Sequence, residues 1–369
     1  MKIAVYGTGF YSETFLKRLK FAVRKVEIVY FVESQKTKDS YNGLPVVEAK
    51  CINPNEFDYL VIAIRSYGEI YDYMRKNLPL FEKIEPKVIR MSYFLHMITG
   101  NLGGIYPYSS VKLTCGLNYI FSSEDCFIGQ SMTDVDDNYA RDSIEKFFYL
   151  TDKYYGKRER KGVFFDIGAN IGTTSIYVNK IVNPGLRVIG IEAGAENYNL
   201  FRVNCIINNA ENIRPEHMGF GNRNEHLTYH YVPENPGGST IRGTGEIEGE
   251  EDVYVMTMDD YCSENNISNE DIDYIWMDTE GFEAQIIEGA QSVLSGRSIP
   301  LIQEFNPSDY RHRGLFDDYC SLMSQLYTGF IDVGKYNSEN EKIISTSEIG
   351  EYAMQIEEEN FKTDLFFIG

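Results

Sequence analysis

The sequence predicts an α/β fold in which a smaller, partial doubly wound domain precedes a larger one. Three observations predict it. Two apolar runs end in glycine turns, "KIAVYGTG" from Lys2 and "VFFDIGANIG" from Val163. Strand-like and helix-like segments alternate after each turn. Acids stand at or near the ends of four successive strand candidates, Asp166, Glu192, Asp278 and Glu304, and in an open α/β sheet those ends face the ligand crevice.

Composition narrows the function classes. The chain has 369 residues, enough for two globular units, and a formal charge of -20 spread along its length. A field of that sign repels phosphate backbones and anionic membranes, so nucleic acid is a poor partner. Six cysteines (Cys51, Cys115, Cys126, Cys205, Cys262, Cys320) form no CxxC pair, and they are expected to be reduced, mostly buried thiols. No signal-like start and no long apolar span are evident, and a cytoplasmic location is expected. Self-association into a homo-oligomer is left open.

The first domain is assigned to residues 1–94. "KIAVYG" is a strand, "ETFLKRLK" a helix, "VEIVYFV" a strand ending at Glu33, and "FDYLVIAI" a buried strand before the helical "SYGEIYDYMRKNL". Gly7, Gly9 and Glu33 are similar to the dinucleotide fingerprint, but Ser12 replaces its third glycine. About three strands fit, too few for a whole dinucleotide fold. A nucleotide or nucleotide-sugar site and a plain scaffold are both open readings.

Residues 95–135 read as a glycine-rich bridge of unassigned role. "DDNYARDSIEKFFYLTDKYY", residues 136–155, puts Tyr139, Ile144, Phe147, Phe148 and Leu150 on one helical face. Its Tyr149 and Lys153 spell the YxxxK of short-chain reductases, although core packing accounts for the tyrosine, and a new strand ten residues on leaves that fold no room.

The second domain, residues 136–369, carries the stronger pattern. "GVFFDIGANIG" is strand then turn, and "TTSIYVNKIVN" a helix with Thr173 and Thr174 as N-cap candidates. "RVIGIE" ends at Glu192, "IDYIWMD" at Asp278 and "IPLIQEF" near Glu304, with helices between them and late strands at "FIDV" and "DLFFIG". Gly168 and Gly172 strip side chains from main chain that a ligand must press against, and Glu192 is placed to accept two ribose hydroxyls. NAD and S-adenosylmethionine both join a ribose to an anionic group. The polar Asp166 and Asn170 around the glycines suit an amino acid's ammonium better than a pyrophosphate.

"FFDIGANIGTTSIYV", "IEAGAENYNLFRVN", "YVMTMDDY" and "IDYIWMDTEGFEAQIIEGA" resemble successive motifs of the FkbM family of S-adenosylmethionine-dependent methyltransferases, over roughly residues 136–305. The resemblance implies a seven-stranded Rossmann-like methyltransferase fold, preceded here by the smaller, partial Rossmann-like domain. It also implies methyl transfer to a hydroxyl, commonly on a saccharide or polyketide. By the same resemblance Asp166, Gly168, Asn170 and Gly172 cradle the donor's methionine half, Glu192 the ribose, and Asn222 reaches the adenine. Two departures stand out: Ala193 where the family has Pro, and Trp276 where it has Lys, a change expected to alter the substrate pocket.

A sulfonium methyl is already activated, so orientation supplies much of the rate. Asp278, Glu280 and, from the loop beyond Glu304, His312 are the candidates to take the acceptor's proton. Asp278, Glu304 and Asn306 are also spaced to offer oxygen ligands to a magnesium ion. Residues 222–257 look like an acceptor-binding insertion, with His226, His230 and Arg242 within reach of a sugar or phosphate. The expected activity is O-methylation of a saccharide hydroxyl, on a nucleotide sugar or glycan intermediate in surface polysaccharide assembly. A nucleotide-binding docking module without turnover and an NAD-linked oxidoreductase are the alternatives.

Overall fold

The computed structural model describes residues 1–19, 25–64, 67–91, 94, 108–123, 125, 127–157, 161–231, 249–337, 341–359 and 362–369. They form two compact units, Met1–Tyr108 and Ser109–Gly369. No helix among them is long and apolar enough to cross a membrane.

In the first unit, β1 (Lys2–Tyr6), β2 (Glu27–Glu33), β3 (Ser40–Tyr41), β4 (Leu44–Glu48), β5 (Tyr59–Ile62) and β6 (Val88–Arg90) make one sheet in the order β3-β4-β2-β1-β5-β6. All neighbours are parallel except the β3–β4 hairpin. The strands missing from the sequence reading are short, and Pro45 interrupts the pattern of β4. Ala4, Tyr6, Val32, Leu60 and Ile62 fill the core. At the glycine turn, Thr8 donates its hydroxyl to Glu33, and the Thr37 N–H donates to the same carboxylate at 2.7 Å.

The second unit opens with a two-stranded pair, β7 (Tyr108–Lys112) and β8 (Asn118–Ser122). Its main sheet joins β9 (Val163–Ile167), β10 (Arg187–Glu192) and β11 (Ile213–His217) to five later strands. Between them, β12 (Gly219–Phe220), β13 (Glu225–Tyr231) and β14 (Gly249–Met256) form a separate three-stranded sheet. The main sheet is completed by β15 (Ile272–Met277), β16 (Leu301–Phe305), β17 (Gly329–Asp332), β18 (Ile344–Ser345) and β19 (Thr363–Ile368), in the order β11-β10-β9-β15-β16-β19-β17-β18. Seven principal strands are thus present, with two-residue β18 as an added edge. The five strands from β11 to β16 run parallel, whereas β19 runs antiparallel to both its neighbours.

Alternation along the strands builds a core on each face. Phe165, Ile167, Ile275 and Met277 pack on helices such as Glu283–Glu288 and Phe316–Leu326. Phe164, Tyr274 and Trp276 pack on the other side, against helices Arg141–Tyr155 and Ala195–Ile207. There Phe147 meets Phe164, Tyr274, Trp276 and Phe366 edge-on at 5.9–6.4 Å between ring centres.

Several local expectations are corrected. Asp136 and Ala140 adopt left-handed backbone (φ 56° and 57°), so the helix starts only at Arg141 and Tyr139 sits in the preceding turn, 37% exposed. The helix Thr173–Tyr177 begins after Gly172 with no side-chain cap, and both threonines are buried. Trp276 belongs to the core and does not line the cleft. Cys51 and Cys115 are exposed, while Cys205 and Cys262 are buried; Cys126 lies outside the described residues. The tip of the insertion, 232–248 with Arg242, also lies outside them. Its flanking strands β13 and β14 pair antiparallel, with His226 Nδ1 2.7 Å from Asp252 Oδ2.

Candidate active site

The site is made where β9, β10 and β15 end together. Past Ile167, the N–H groups of Gly168 and Ala169 both donate to Ile191 O at 2.9 Å, which ties the turn to β10. The Asp278 N–H donates to Ile167 O at 2.9 Å and ties it to β15. Asn170 takes the left-handed conformation (φ 51°) that asparagine tolerates, and its N–H donates to Glu192 Oε2 at 2.7 Å. The Gly194 N–H donates to Glu192 Oε1 at 2.8 Å. One carboxylate therefore spans both loops at the carboxyl edge.

These loops wall a cleft that opens to solvent and encloses about 520 Å³ of empty space. Gly168, Asn170 and Glu192 line one side, Met218, Phe220, Tyr229, Phe282 and Ile286 form an apolar slot, and Asp278, Thr279 and Glu280 stand at the far end. Glu192 is 5% exposed, and burial pushes its carboxyl up to about 7 against the opposing effect of its two backbone donors. Its protonation state thus changes in the neutral range.

The glycines answer to the fold as well as to a ligand. At Gly168 (φ 86°) a Cβ would stand 1.8 Å from Asp278 O, and at Gly172 (φ 86°) 2.1 Å from the Phe201 ring. Gly172 does not line the cleft, and neither does Asp166. Asp166 is 1% exposed, accepts from the Ser175 hydroxyl at 2.5 Å, and is raised to about 6 by burial. It anchors the start of the following helix from beneath the turn.

At the far end Asp278, Glu280 and Glu304 each bring a carboxylate oxygen within 4.8 Å of the others. Glu280 holds a left-handed backbone (φ 53°). Buried Glu283 fixes this loop by accepting from the Thr279 N–H and hydroxyl, both at 2.8 Å. Glu304 is 7% exposed, and its Oε2 is buried without a hydrogen bond. Burial and repulsion from its acidic neighbours hold the Glu304 carboxyl well above the ordinary range. Asp278 is raised too, first by the protein enclosing it and then by Glu280, although its exposed face opens to solvent through the cleft.

Lys362 answers this charge. Its Nζ lies 2.8 Å from Glu280 Oε2 and 2.6 Å from Glu304 Oε1. Strand carboxyl ends do not point to it in the sequence, because Lys362 precedes its strand. Antiparallel β19, with Thr363 opposite Phe305, carries its own amino end to the edge where the parallel strands finish. Asn306 is turned away, its amide donating to Asp309 Oδ2 at 2.9 Å. The expected magnesium set of Asp278, Glu304 and Asn306 therefore does not fit, since one member is engaged elsewhere and an ammonium already bridges the acids.

Two further candidates stand outside the cleft lining. Asn222 donates its amide to Glu288 Oε2 at 2.9 Å, and His312 is exposed, with Nδ1 3.2 Å from Ser308 O. Tyr139, by contrast, feels the charges of Asp278, Glu280 and Lys362. Its turn is held in place by Asn138, whose amide donates to Tyr139 O at 2.8 Å and lies 3.4 Å from Thr173 O.

Residues 166–330 match the model of the methyltransferase FkbM domain. The chain carries an FkbM methyltransferase domain. It is of the S-adenosylmethionine-dependent type, and its matched span contains every cleft residue described above; Lys362 lies beyond it. Residues 1–80 match a second family model, described as C2185-like, N-terminal. No curated protein matches the chain. Among solved structures, methyltransferase FkbM from Methylobacillus flagellatus KT is 16% identical over 99% of this chain and 89% of its own, with a TM-score of 0.36. M. jannaschii TYW2 in complex with AdoMet is 14% identical over 72% of this chain and 89% of its own, with a TM-score of 0.35. Geranyl diphosphate C-methyltransferase from Streptomyces coelicolor A3(2) is 10% identical over 66% and 81%, at 0.33. The assignment of the FkbM domain rests on the family match.

Proposed function

We propose that the FkbM domain transfers the methyl group of S-adenosylmethionine to a hydroxyl oxygen of a saccharide, on a nucleotide sugar or glycan intermediate of surface polysaccharide assembly. The observation that carries this reading is a single cleft with bare main chain and the Glu192 carboxylate at one end and the Asp278–Glu280 acids at the other. In this reading Gly168 and Asn170 receive the methionine half, Glu192 accepts from the ribose hydroxyls, and the slot of Met218, Phe220 and Phe282 takes the adenine. The acceptor oxygen attacks the methyl carbon, the new O–CH3 bond forms as the S–CH3 bond breaks, and S-adenosylhomocysteine leaves. Asp278 or Glu280 takes the hydroxyl proton, a contribution of roughly 10²–10⁴ in rate for general bases.

Two features favour a sugar. Clustered carboxylates accept hydrogen bonds from neighbouring hydroxyls, and the exposed Tyr139 ring beside them offers an apolar face to a pyranose. The first unit is read as a scaffold, since Thr8 and Thr37 already occupy the Glu33 carboxylate that a ribose would need.

Calorimetry with S-adenosylhomocysteine tests the donor site: binding heat that disappears in Glu192→Ala is expected, and no heat with the intact chain would overturn the reading. A melting shift with NAD or a nucleotide sugar that persists in Glu192→Ala would overturn the scaffold reading of the first unit.

A further inference from the structure

We propose that Lys362 is a positioning residue of the acceptor site, which engages Glu280 and Glu304 and so leaves Asp278 as the group that takes the acceptor's proton. This rests on the methyl-transfer reading above. The geometry is asymmetric: three carboxylates crowd together, yet the one ammonium among them touches only two, at 2.8 and 2.6 Å. Among the described residues, the Asp278 side chain makes no hydrogen bond or ion pair, and it faces the cleft.

Pairing with a cation stabilises an acid as its anion and leaves it a weak base. Glu280 and Glu304 are therefore both engaged by the Lys362 ammonium. Asp278 meets their negative charge, and that of Glu283 and Asp364, with no cation in contact. Its affinity for a proton is raised while its oxygens remain open to a substrate. The charged and titratable groups facing it come from every neighbouring element: Glu280 on its own loop, Glu283 on the next helix, Glu304 on β16, Lys362 and Asp364 on or beside β19, and Tyr139 from the turn before Arg141. The same ammonium pairs with two of the three clustered carboxylates, so the lysine supplies in fixed form positive charge that such a crowd of acids requires.

The sign of the effect follows. Lys362 lowers the proton affinity of Asp278 and Glu304, so removing it raises both. An opposite charge within a few ångströms shifts a carboxylate by about one to three pH units, which sets the size of the change to look for.

Carboxyl-carbon NMR of the full chain, titrated with pH, reads this without any acceptor. Among the carboxyls that titrate above the ordinary carboxylate range in the native chain, one is expected to vanish in Asp278→Asn. In Lys362→Met that signal should move up by about one unit or more, as should the one that is lost on adding Glu304→Gln, and Lys362→Arg should restore the native pattern. Binding of S-adenosylhomocysteine, measured by calorimetry on each variant, shows that the cleft is intact. An Asp278 signal unmoved in Lys362→Met with that binding preserved would overturn the proposal, as would selective broadening of the acid signals by manganese at micromolar concentration in the native chain. Failure of the native chain to bind S-adenosylhomocysteine would instead overturn the donor reading, and the carboxyl titration would still decide the role of Lys362.

Discussion

The carbonyl of Asp278 lies so close to Gly168 that a Cβ on the glycine would stand 1.8 Å from its oxygen. The donor turn and the acid proposed to act on the acceptor are thus in direct main-chain contact. Neither can shift without moving the other.

Gly168→Ala should consequently damage both ends of the cleft. The left-handed backbone there is unfavourable for alanine, and the new methyl would displace the Asp278 carbonyl; strain and overpacking of this kind cost roughly 1–3 kcal/mol each. Urea unfolding should show the stability loss, and calorimetry a large fall in affinity for S-adenosylhomocysteine. Unchanged affinity would mean that the turn does not hold the donor.

Gly172→Ala separates packing from binding. Its Cβ would strike the Phe201 ring, and a loss of roughly 2 kcal/mol or more is expected. Shrinking the ring in the double variant with Phe201→Leu should recover the part of that loss due to the clash, leaving the backbone strain. If the double variant is no more stable than Gly172→Ala, the collision is not what makes residue 172 a glycine.

Glu192 sets a pH dependence with opposite effects on folding and on binding. Its folded carboxyl is raised to about 7, so the folded chain holds that proton more tightly than the unfolded chain does. The stability this confers is present below the unfolded value and is lost as pH rises to about 7. Ribose hydroxyls, however, donate best to the anion. Affinity for S-adenosylhomocysteine should therefore rise about tenfold between pH 6 and pH 8, following the ionised fraction, while the melting temperature of the free protein falls. Glu192→Gln should remove most of the pH dependence of affinity and lessen that fall. An affinity equal at both pH values would exclude ionised Glu192 as the ribose acceptor.

Asp166 should prove structural. Asp166→Ala leaves the Ser175 hydroxyl buried without its partner, a loss of about 1–3 kcal/mol, whereas Asp166→Asn keeps an acceptor and should lose less. In both, S-adenosylhomocysteine affinity measured well below the melting temperature should stay within a few-fold of native. A loss of binding in the well-folded Asn variant would put the carboxylate in contact with the donor after all.

Asp278→Asn and Tyr139→Ala should divide the acceptor site by kinetics. With a nucleotide sugar that supports turnover, the first should lower kcat by about 10²–10⁴ through loss of the base. The second should chiefly raise KM. A normal kcat in Asp278→Asn would move the base role to Glu280.

The fold was largely legible because its strands are short runs of β-branched and aromatic residues closed by glycine or acid, as in "VFFDIG" and "RVIGIE". What escaped was set by partners distant in sequence. β3 and β6 are too short for any period to show, and Pro45 breaks the run of β4. Tyr139 reads as helical until Asp136 and Ala140 turn the chain left-handed. Glu192, Gly168, Asn170, Asp278 and Glu280 all fall in the cleft as their strand-end positions suggested. Asp166 and Gly172, equally prominent in the motif, lie outside the cleft lining. Lys362 could not be found from strand ends, because only the direction of β19 brings it there. The alternation in "IDYIWMD" does carry one overlooked signal: Trp276 and Asp278 lie two apart, but the strand finishes at Met277, so the acid leaves the sheet and the indole remains within it.

Trp276 is the only tryptophan in the chain, and it lies packed against Phe147 in the Ser109–Gly369 unit. Indole emission accordingly reports on that unit and is blind to Met1–Tyr108. During heating, a calorimetric transition with no accompanying red shift belongs to the smaller unit, and one that coincides with the shift belongs to the larger. One native fluorophore can thus assign each step of unfolding without a label or a truncation.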